Sequence, residues 1–228
     1  VLNIDIGGGT TKFAICDLGK IVDLTAVDIG ARIIVLDKEG KLTRIEEAGK
    51  IFASECEVTL TIGEVPPLGS LERISERMAE YIAEIAAIGP LSKETRNLLR
   101  LPAMNWSGNI DCVTFSGGVS EYVYGYEKKE FGDLGPLLAL AIRQRMEGAG
   151  VLIMESVESI RATVVGASQY SIQLSGTTIF VHPENILPLR NIPVVAPNLP
   201  LTHECFDKRI IAQSVSYTHL TLPTSDLV

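Results

Sequence analysis

Asp5, Gly7, Gly8, Gly9, Thr10, Thr11 and Lys12 stand together in the run DIGGGTTK, between two β-rich segments. Three successive glycines leave backbone amides uncovered by side chains, so a phosphate oxygen can come within hydrogen-bonding distance of the chain. Thr10 and Thr11 add hydroxyl donors at the same place. Asp5, at the end of the incoming strand, would point a carboxylate at that phosphate, which like charges tolerate only with a cation or a water between them. Magnesium held largely through water fits that arrangement, with Asp5 as its protein contact. A second glycine turn lies far downstream in VTFSGGVSEYVYG, Val113 to Gly125. There Gly117 and Gly118 would let backbone lie flat against a purine or ribose, and Glu121 could take a sugar hydroxyl. Either turn alone also fits an ordinary glycine-rich connection. Their pairing, each directly after an apolar strand, strengthens the reading as a ligand site.

The turns need a scaffold. Val1 to Ile6, Thr11 to Cys16 and Lys20 to Val27 are β-rich runs joined by Gly7-Gly8-Gly9 and Asp17-Leu18-Gly19, which predicts a meander of three strands. Arg32 to Asp37 reads as a further strand, returning through Lys38-Glu39-Gly40 along Lys41 to Ile45. Beyond it charge rises from Glu46 to Lys50. From Ser70 the period changes: Leu71, Ile74, Met78, Tyr81, Ile82, Ile85 and Ile88 mark an amphipathic helix, capped by Ser70 and stopped by Gly89-Pro90. A shorter helix is expected at Lys93 to Arg100, then a loop in which Trp106 either packs on the core or anchors a partner. Cys112 to Phe115 is a short strand ending in the Ser116-Gly117-Gly118 turn. Asp133 opens another helix ending at Gly148; a third is expected at Glu158 to Tyr170, with strands at Thr177 to His182, Ile186 to Leu189 and Ile192 to Ala196.

With 228 residues, 46% of them hydrophobic and 21% charged, the chain can bury a core of its own. A net charge of -8 and a pI near 5.0 argue against nucleic acid or an anionic membrane as main partner, since both would repel such a surface. No apolar run approaches the roughly 20 residues of a membrane-spanning helix. Cys16, Cys56, Cys112 and Cys205 form no C-x-x-C pair, so a reduced, soluble, cytoplasmic protein is the simplest expectation. The chain starts at Val1, as if cut from something longer, and SVSYTHLTLPTSDLV (Ser214 to Val228) resembles a translated sequencing adapter. Residues 1–213 are therefore expected to be native and 214–228 a non-native tail.

DIGGGTT between strands, then a strand running into S-G-G, then a helix with A-T-V-V-G-A, are similar to three parts of the actin, sugar kinase and heat-shock chaperone superfamily. In the same order, these are its second phosphate loop, its adenosine loop and its second connecting helix. Within that superfamily, VLNIDIGGGTTKFAI, TAVDIGARII, VTFSGGVSEYVYG and IRATVVGASQYSIQLSGTTIF resemble the ethanolamine ammonia-lyase reactivating factors, over Val1 to about Gln213. The resemblance implies an α/β fold: one lobe of an actin-like (ribonuclease H-like) ATPase, a mixed β-sheet with an antiparallel three-strand meander flanked by helices. The superfamily's first phosphate loop lies upstream of its second, so residues 1–213 would be the C-terminal lobe, with the N-terminal lobe missing from this chain.

What the resemblance implies about function is specific. Such factors are chaperones of a radical enzyme, using ATP and magnesium to release damaged cobalamin from ethanolamine ammonia-lyase so that intact adenosylcobalamin can bind. ATP or ADP and Mg2+ are then the cofactors, cobalamin is only cargo of the partner enzyme, and the setting is cytoplasmic with association with a bacterial microcompartment. Residue by residue, Asp5 matches the aspartate that organises magnesium and the attacking water, making it the candidate catalytic group. Gly7, Gly8, Gly9 and Thr10 match the phosphate grip, and Gly117, Gly118 and Glu121 the nucleoside side. Lys12 departs from the acidic residue usual in heat-shock chaperones; it is either an ordinary strand charge or a phosphate contact. The parent would be a slow ATPase, and one lobe alone should bind nucleotide weakly. The competing readings are an actin-like scaffold or filament subunit and a small-molecule kinase of the same superfamily. The scattered cysteines count against an iron–sulfur activase, which needs clustered thiolates.

Overall fold

The computed structural model describes residues 1–156 and 160, all within the first of two compact units, Val1–Ser171. The expected helix at Glu158 to Tyr170, the strands from Thr177 onward, Cys205 and the tail 214–228 lie outside the described residues, save for Ile160 itself.

Strict alternation builds the sheet. In β1 (Leu2–Ile6), Leu2, Ile4 and Ile6 are fully buried while Asn3 and Asp5 face the other way. β2 (Thr11–Asp17) and β3 (Lys20–Val27) complete the antiparallel meander, with Asp5 opposite Lys12 across β1 and β2. The expected strand from Arg32 begins later than its sequence suggests: Ala31–Ile33 form a 3-10 turn, and β4 (Ile34–Leu36) pairs with β5 (Leu42–Ile45) as a separate hairpin. The reason is local, because the amides of Ala31 and Arg32 donate to carbonyls of the glycine hairpin instead of joining a strand ladder.

Helices close one side. The charged stretch after Ile45 becomes α1 (Glu47–Glu55), which buries Phe52 and Ala53 and was not evident from its periodicity. α2 (Ser70–Ala86) buries Ile74, Met78, Ile82 and Ile85. Ser70 does not cap it. Gly69 holds the N-cap position at φ +73°, a left-handed conformation that favours glycine, and Ser70 is a buried first residue whose hydroxyl has no partner among the described residues. α3 (Lys93–Leu98) is capped by Ser92, whose hydroxyl accepts from the Thr95 amide.

β6 (Val113–Ser116) lies parallel to β1, with Asp5 opposite Ser116. It is followed by the single turn α4 (Ser120–Val123), then α5 (Gly135–Gly148) and β7 (Ile153–Met154). The sheet order is β3-β2-β1-β6-β7, mixed in direction. Leu138, Ile142 and Met146 of α5 join the α2 residues and the inner strand faces in one apolar cluster, with Trp106 packed at its margin. A polar network pins the helices to each other: the Arg77 guanidinium pairs with Glu55 and Glu80, and Arg145 reaches Glu80 at 2.7 Å. No helix among the described residues is long and apolar enough to cross a membrane.

Glu84 ties α3 to α2. Burial alone would push its carboxyl up, but donors from Thr95 Oγ1, the Ser92 amide and Ser92 Oγ outweigh this and hold it below the ordinary 4.5. A depressed folded value means stabilisation that is present above the ordinary value and lost as pH falls through the folded one. Glu84→Gln should therefore cost about 1–2 kcal/mol at neutral pH and progressively less in acid. Denaturation curves of both proteins between neutral pH and pH about 3 test this; a pH-independent difference would contradict it.

Candidate functional site

Because β1 and β6 run parallel as neighbours, the connections at their C-terminal ends leave the sheet side by side. One is the Gly7–Thr10 hairpin and the other the Gly117–Gly118 turn. In the hairpin, the Gly7 amide donates to the Thr10 carbonyl at 3.0 Å, closing the turn. The Gly7 and Gly8 carbonyls accept from Ala31 and Arg32 at 3.0 and 2.6 Å, so both are drawn to the rear. Gly8 and Gly9 are exposed residues, and their amides have no hydrogen-bond partner among the described residues. None of the three glycines takes a positive φ. Nothing in the protein itself demands glycine at position 9, since an added Cβ there would meet nothing within 4 Å; the space in front of its backbone is open.

Gly30 supports the hairpin from behind. A Cβ at that position would lie 2.4 Å from the Gly8 carbonyl oxygen and 2.5 Å from the Gly9 nitrogen. Its own backbone is extended, so contact and not conformation excludes a side chain. Gly30→Ala must push the hairpin backbone away, and about 1–3 kcal/mol of destabilisation is expected. Thermal unfolding beside Gly9→Ala, whose methyl enters open space, is the check; equal midpoints would refute the bracing role.

Asp5 sits one step below the hairpin, in cross-strand contact with both neighbours. Ser116 Oγ donates to its Oδ2 at 2.9 Å and Lys12 Nζ approaches its Oδ1 at 3.2 Å. Asn3 extends the same polar row, donating to Ser116 Oγ and accepting from Thr114 Oγ1. The carboxylate is therefore fixed in direction by its neighbours on either side. Among the described residues no three His, Cys, Asp or Glu side chains converge as a metal cage. A cation at Asp5 would take most of its ligands from water and phosphate, as magnesium commonly does.

On the other side, Gly117 adopts φ +82° with its α-carbon against the Ile6 backbone, and its carbonyl accepts from the buried Ser120 hydroxyl at 2.7 Å. Gly118 faces open space. The Tyr124 hydroxyl accepts from the Phe115 amide at 2.7 Å, fixing α4 against β6. Glu121 Oε1 accepts from the Ile160 amide at 3.3 Å.

Gly7, Gly8, Gly118 and Glu121 thereby line one cavity of about 390 Å³, together with Arg32 and Tyr122. Gly8 and Gly9 also border a second cavity of about 410 Å³ that contains Arg32, Arg44 and Arg100. Asp5, Thr10, Lys12 and Gly117 line neither; they shape the strand ends beneath. Thr11 is fully buried and its hydroxyl donates to the Ile29 carbonyl at 2.8 Å, which secures the hairpin to the following segment instead of facing the cavities.

Gly30, Arg32, Ser116 and Asp133 did not emerge from the sequence as site residues. Arg32 Nε pairs with Asp133 Oδ2 at 3.2 Å, while Asp133 Oδ1 accepts from the Gly135 amide at the start of α5. The one available signal was the string TAVDIGARII, in which a glycine stands three residues after the end of β3.

The family model described as ethanolamine utilisation protein EutA matches residues 1–221. The ethanolamine ammonia-lyase reactivase EutA of Escherichia coli K12 is 34% identical over 202 residues, covering 86% of this chain and 42% of that protein. Its counterpart in Salmonella typhimurium LT2 is 33% identical with the same coverage. The chain thus spans less than half the length of the curated relatives it matches. Among solved structures, component A of the Acidaminococcus fermentans (R)-2-hydroxyglutaryl-CoA dehydratase aligns at 15% identity and a TM-score of 0.36, over 73% of this chain and 59% of that one.

Proposed function

The chain belongs to the EutA family of ethanolamine utilisation proteins, and from that premise we propose that the protein carrying it is an ATP-dependent, chaperone-like reactivase of ethanolamine ammonia-lyase. In this reading it releases damaged cobalamin from the lyase so that intact adenosylcobalamin can take its place. The described residues contribute one wall of an actin-like nucleotide cleft. The observation that carries the reading is the meeting of two glycine turns on one cavity, with the Gly8 amide at its wall unpartnered among the described residues.

The residues present fit a nucleotide. The hairpin amides would hold phosphate oxygens, the open face of Gly118 would admit the nucleoside, and Glu121 would accept from a ribose hydroxyl. Asp5, already oriented by Ser116, would order magnesium through water and position the attacking water. Lys12 would then either stay with Asp5 or swing to a phosphate, since its side chain is half exposed. When bound, ATP supplies the differential affinity that a two-state clamp needs to change its population. Association with a bacterial microcompartment accompanies the same reading.

The test uses the full-length protein with ethanolamine ammonia-lyase inactivated by cyanocobalamin, plus ATP, magnesium and fresh adenosylcobalamin. Activity should return only with ATP. Failure to return, or equal return without ATP, would overturn the proposal.

A further inference from the structure

The charge distribution around the cleft is uneven in a way the glycine turns alone do not explain. Three carboxylates, Glu121, Glu127 and Asp133, line the cavity shared by the two turns, and Arg32 is the one Lys or Arg among its described lining residues. A polyanion placed uniformly in such a cavity would be repelled along most of its length. Only the Gly8 end sets a cation beside an unpartnered amide.

We propose that Arg32 is a phosphate-contacting residue of this cleft, and that it sets the ligand's direction: phosphates at the Gly8–Arg32 end, nucleoside at the Gly118–Glu121 end. This rests on the nucleotide reading given above.

Arg32 is built for that task by its backbone and by one side-chain contact. Its amide donates to the Gly8 carbonyl at 2.6 Å, and its own carbonyl accepts from Arg44 Nη2 at 3.2 Å, so the residue is held against the hairpin from both sides. Its aliphatic carbons run beside Gly8, 3.5 Å from where a Cβ on that glycine would stand. The guanidinium is tethered through Nε alone, to an Asp133 carboxylate whose side chain is only 8% exposed. That leaves both Nη groups without a partner among the described residues, on a side chain that is 63% exposed. A planar guanidinium anchored at one edge presents its remaining donors in the fork geometry that matches a phosphate. Arg32 also borders the second cavity, where Arg44 and Arg100 stand among the carboxylates of Asp28, Glu46 and Glu47, so the positive charge offered to a phosphate beside Gly8 is that of Arg32 itself. Arg44 and Arg100 carry their own carboxylate partners, Glu46 and Asp28, and do not border the cavity that holds Glu121. Asp133 is a positioning residue here, acting through Arg32.

The experiment is displacement of a fluorescent ADP from the full-length protein, with ADP, ATP and adenosine as competitors, for the parent and for Arg32→Ala and Arg32→Lys. Removing charge-assisted hydrogen bonds to phosphate should weaken ADP and ATP about 10- to 100-fold. Adenosine should compete as well as it does with the parent, and lysine should recover part of the loss, because it restores the charge without the fork. A general structural defect would instead weaken adenosine and ADP alike, and that result, or an unchanged ADP affinity in Arg32→Ala, overturns the assignment of Arg32 while leaving the nucleotide reading intact. If the parent itself binds no fluorescent ADP, the nucleotide reading and this assignment fall together.

Discussion

Gly117→Ala should be among the most damaging single-methyl additions in the described part of the protein, lowering stability by about 3–5 kcal/mol. Two penalties act on the same atom. At φ +82° any residue with a Cβ carries left-handed strain. The added carbon would also lie 2.5 Å from the Ile6 carbonyl oxygen and 2.8 Å from its carbon, and both belong to the backbone of the central strand β1, which cannot rotate aside. Gly118→Ala is the matched control, because a methyl there meets nothing within 4 Å and the backbone takes no positive φ. It should change stability by less than about 0.5 kcal/mol while still interfering with a ligand laid against the turn. Denaturant unfolding of the two variants and the parent decides the matter, and similar midpoints for both variants would remove the argument.

In the reactivase proposed above, Asp5→Asn should lower ATP turnover by about 100-fold or more and abolish reactivation, with little effect on folding. An amide keeps an oxygen that can accept from Ser116 Oγ, so the cross-strand link survives. What it loses is the charge. The pair with Lys12 is 3.2 Å long and its lysine is 52% exposed, so its contribution to stability is at most about 1 kcal/mol. The separation between a large functional loss and a small thermal shift is therefore the expected signature. An Asp5→Asn protein that hydrolyses ATP and reactivates the lyase at the parent rate would show that Asp5 is only a strand pair for Lys12.

The elements that were legible in the sequence are those whose evidence is local. Leu2, Ile4 and Ile6 alternate with Asn3 and Asp5, and this period alone defines β1 and its buried face. Ile74, Met78, Ile82 and Ile85 recur at helical spacing, and α2 follows from them. α1 escaped because its nine residues bury little beyond Phe52 and Ala53, too short a stripe to stand out from a charged loop. α4 is a single turn and has no period to detect. The cap of α2 was misplaced because serine before an apolar run is a common cap. Here the adjoining Gly69 takes a backbone conformation that glycine reaches most easily.

The candidate site divides along the same line. The amide-exposing hairpin from Gly7 to Thr10 and the turn from Ser116 to Gly118 were readable by themselves, because three adjacent glycines, or a glycine pair closing a strand, are features of neighbouring residues. That the turns share a cavity depends on β6 lying parallel to β1, a pairing between distant segments. The demand for glycine at position 30 arises from contact with the Gly8 backbone, and the role of Arg32 from Asp133 at the start of a helix far along the chain. Sequence spacing carries the periodicity that makes strands and helices and the residue types that a phosphate or a carboxylate chemistry requires. Which of those residues face one cavity, and which, like Thr11, turn their hydroxyl to a buried carbonyl instead, was decided by strand pairing and close packing. Those interactions act between residues remote in the chain, and no local pattern encodes them.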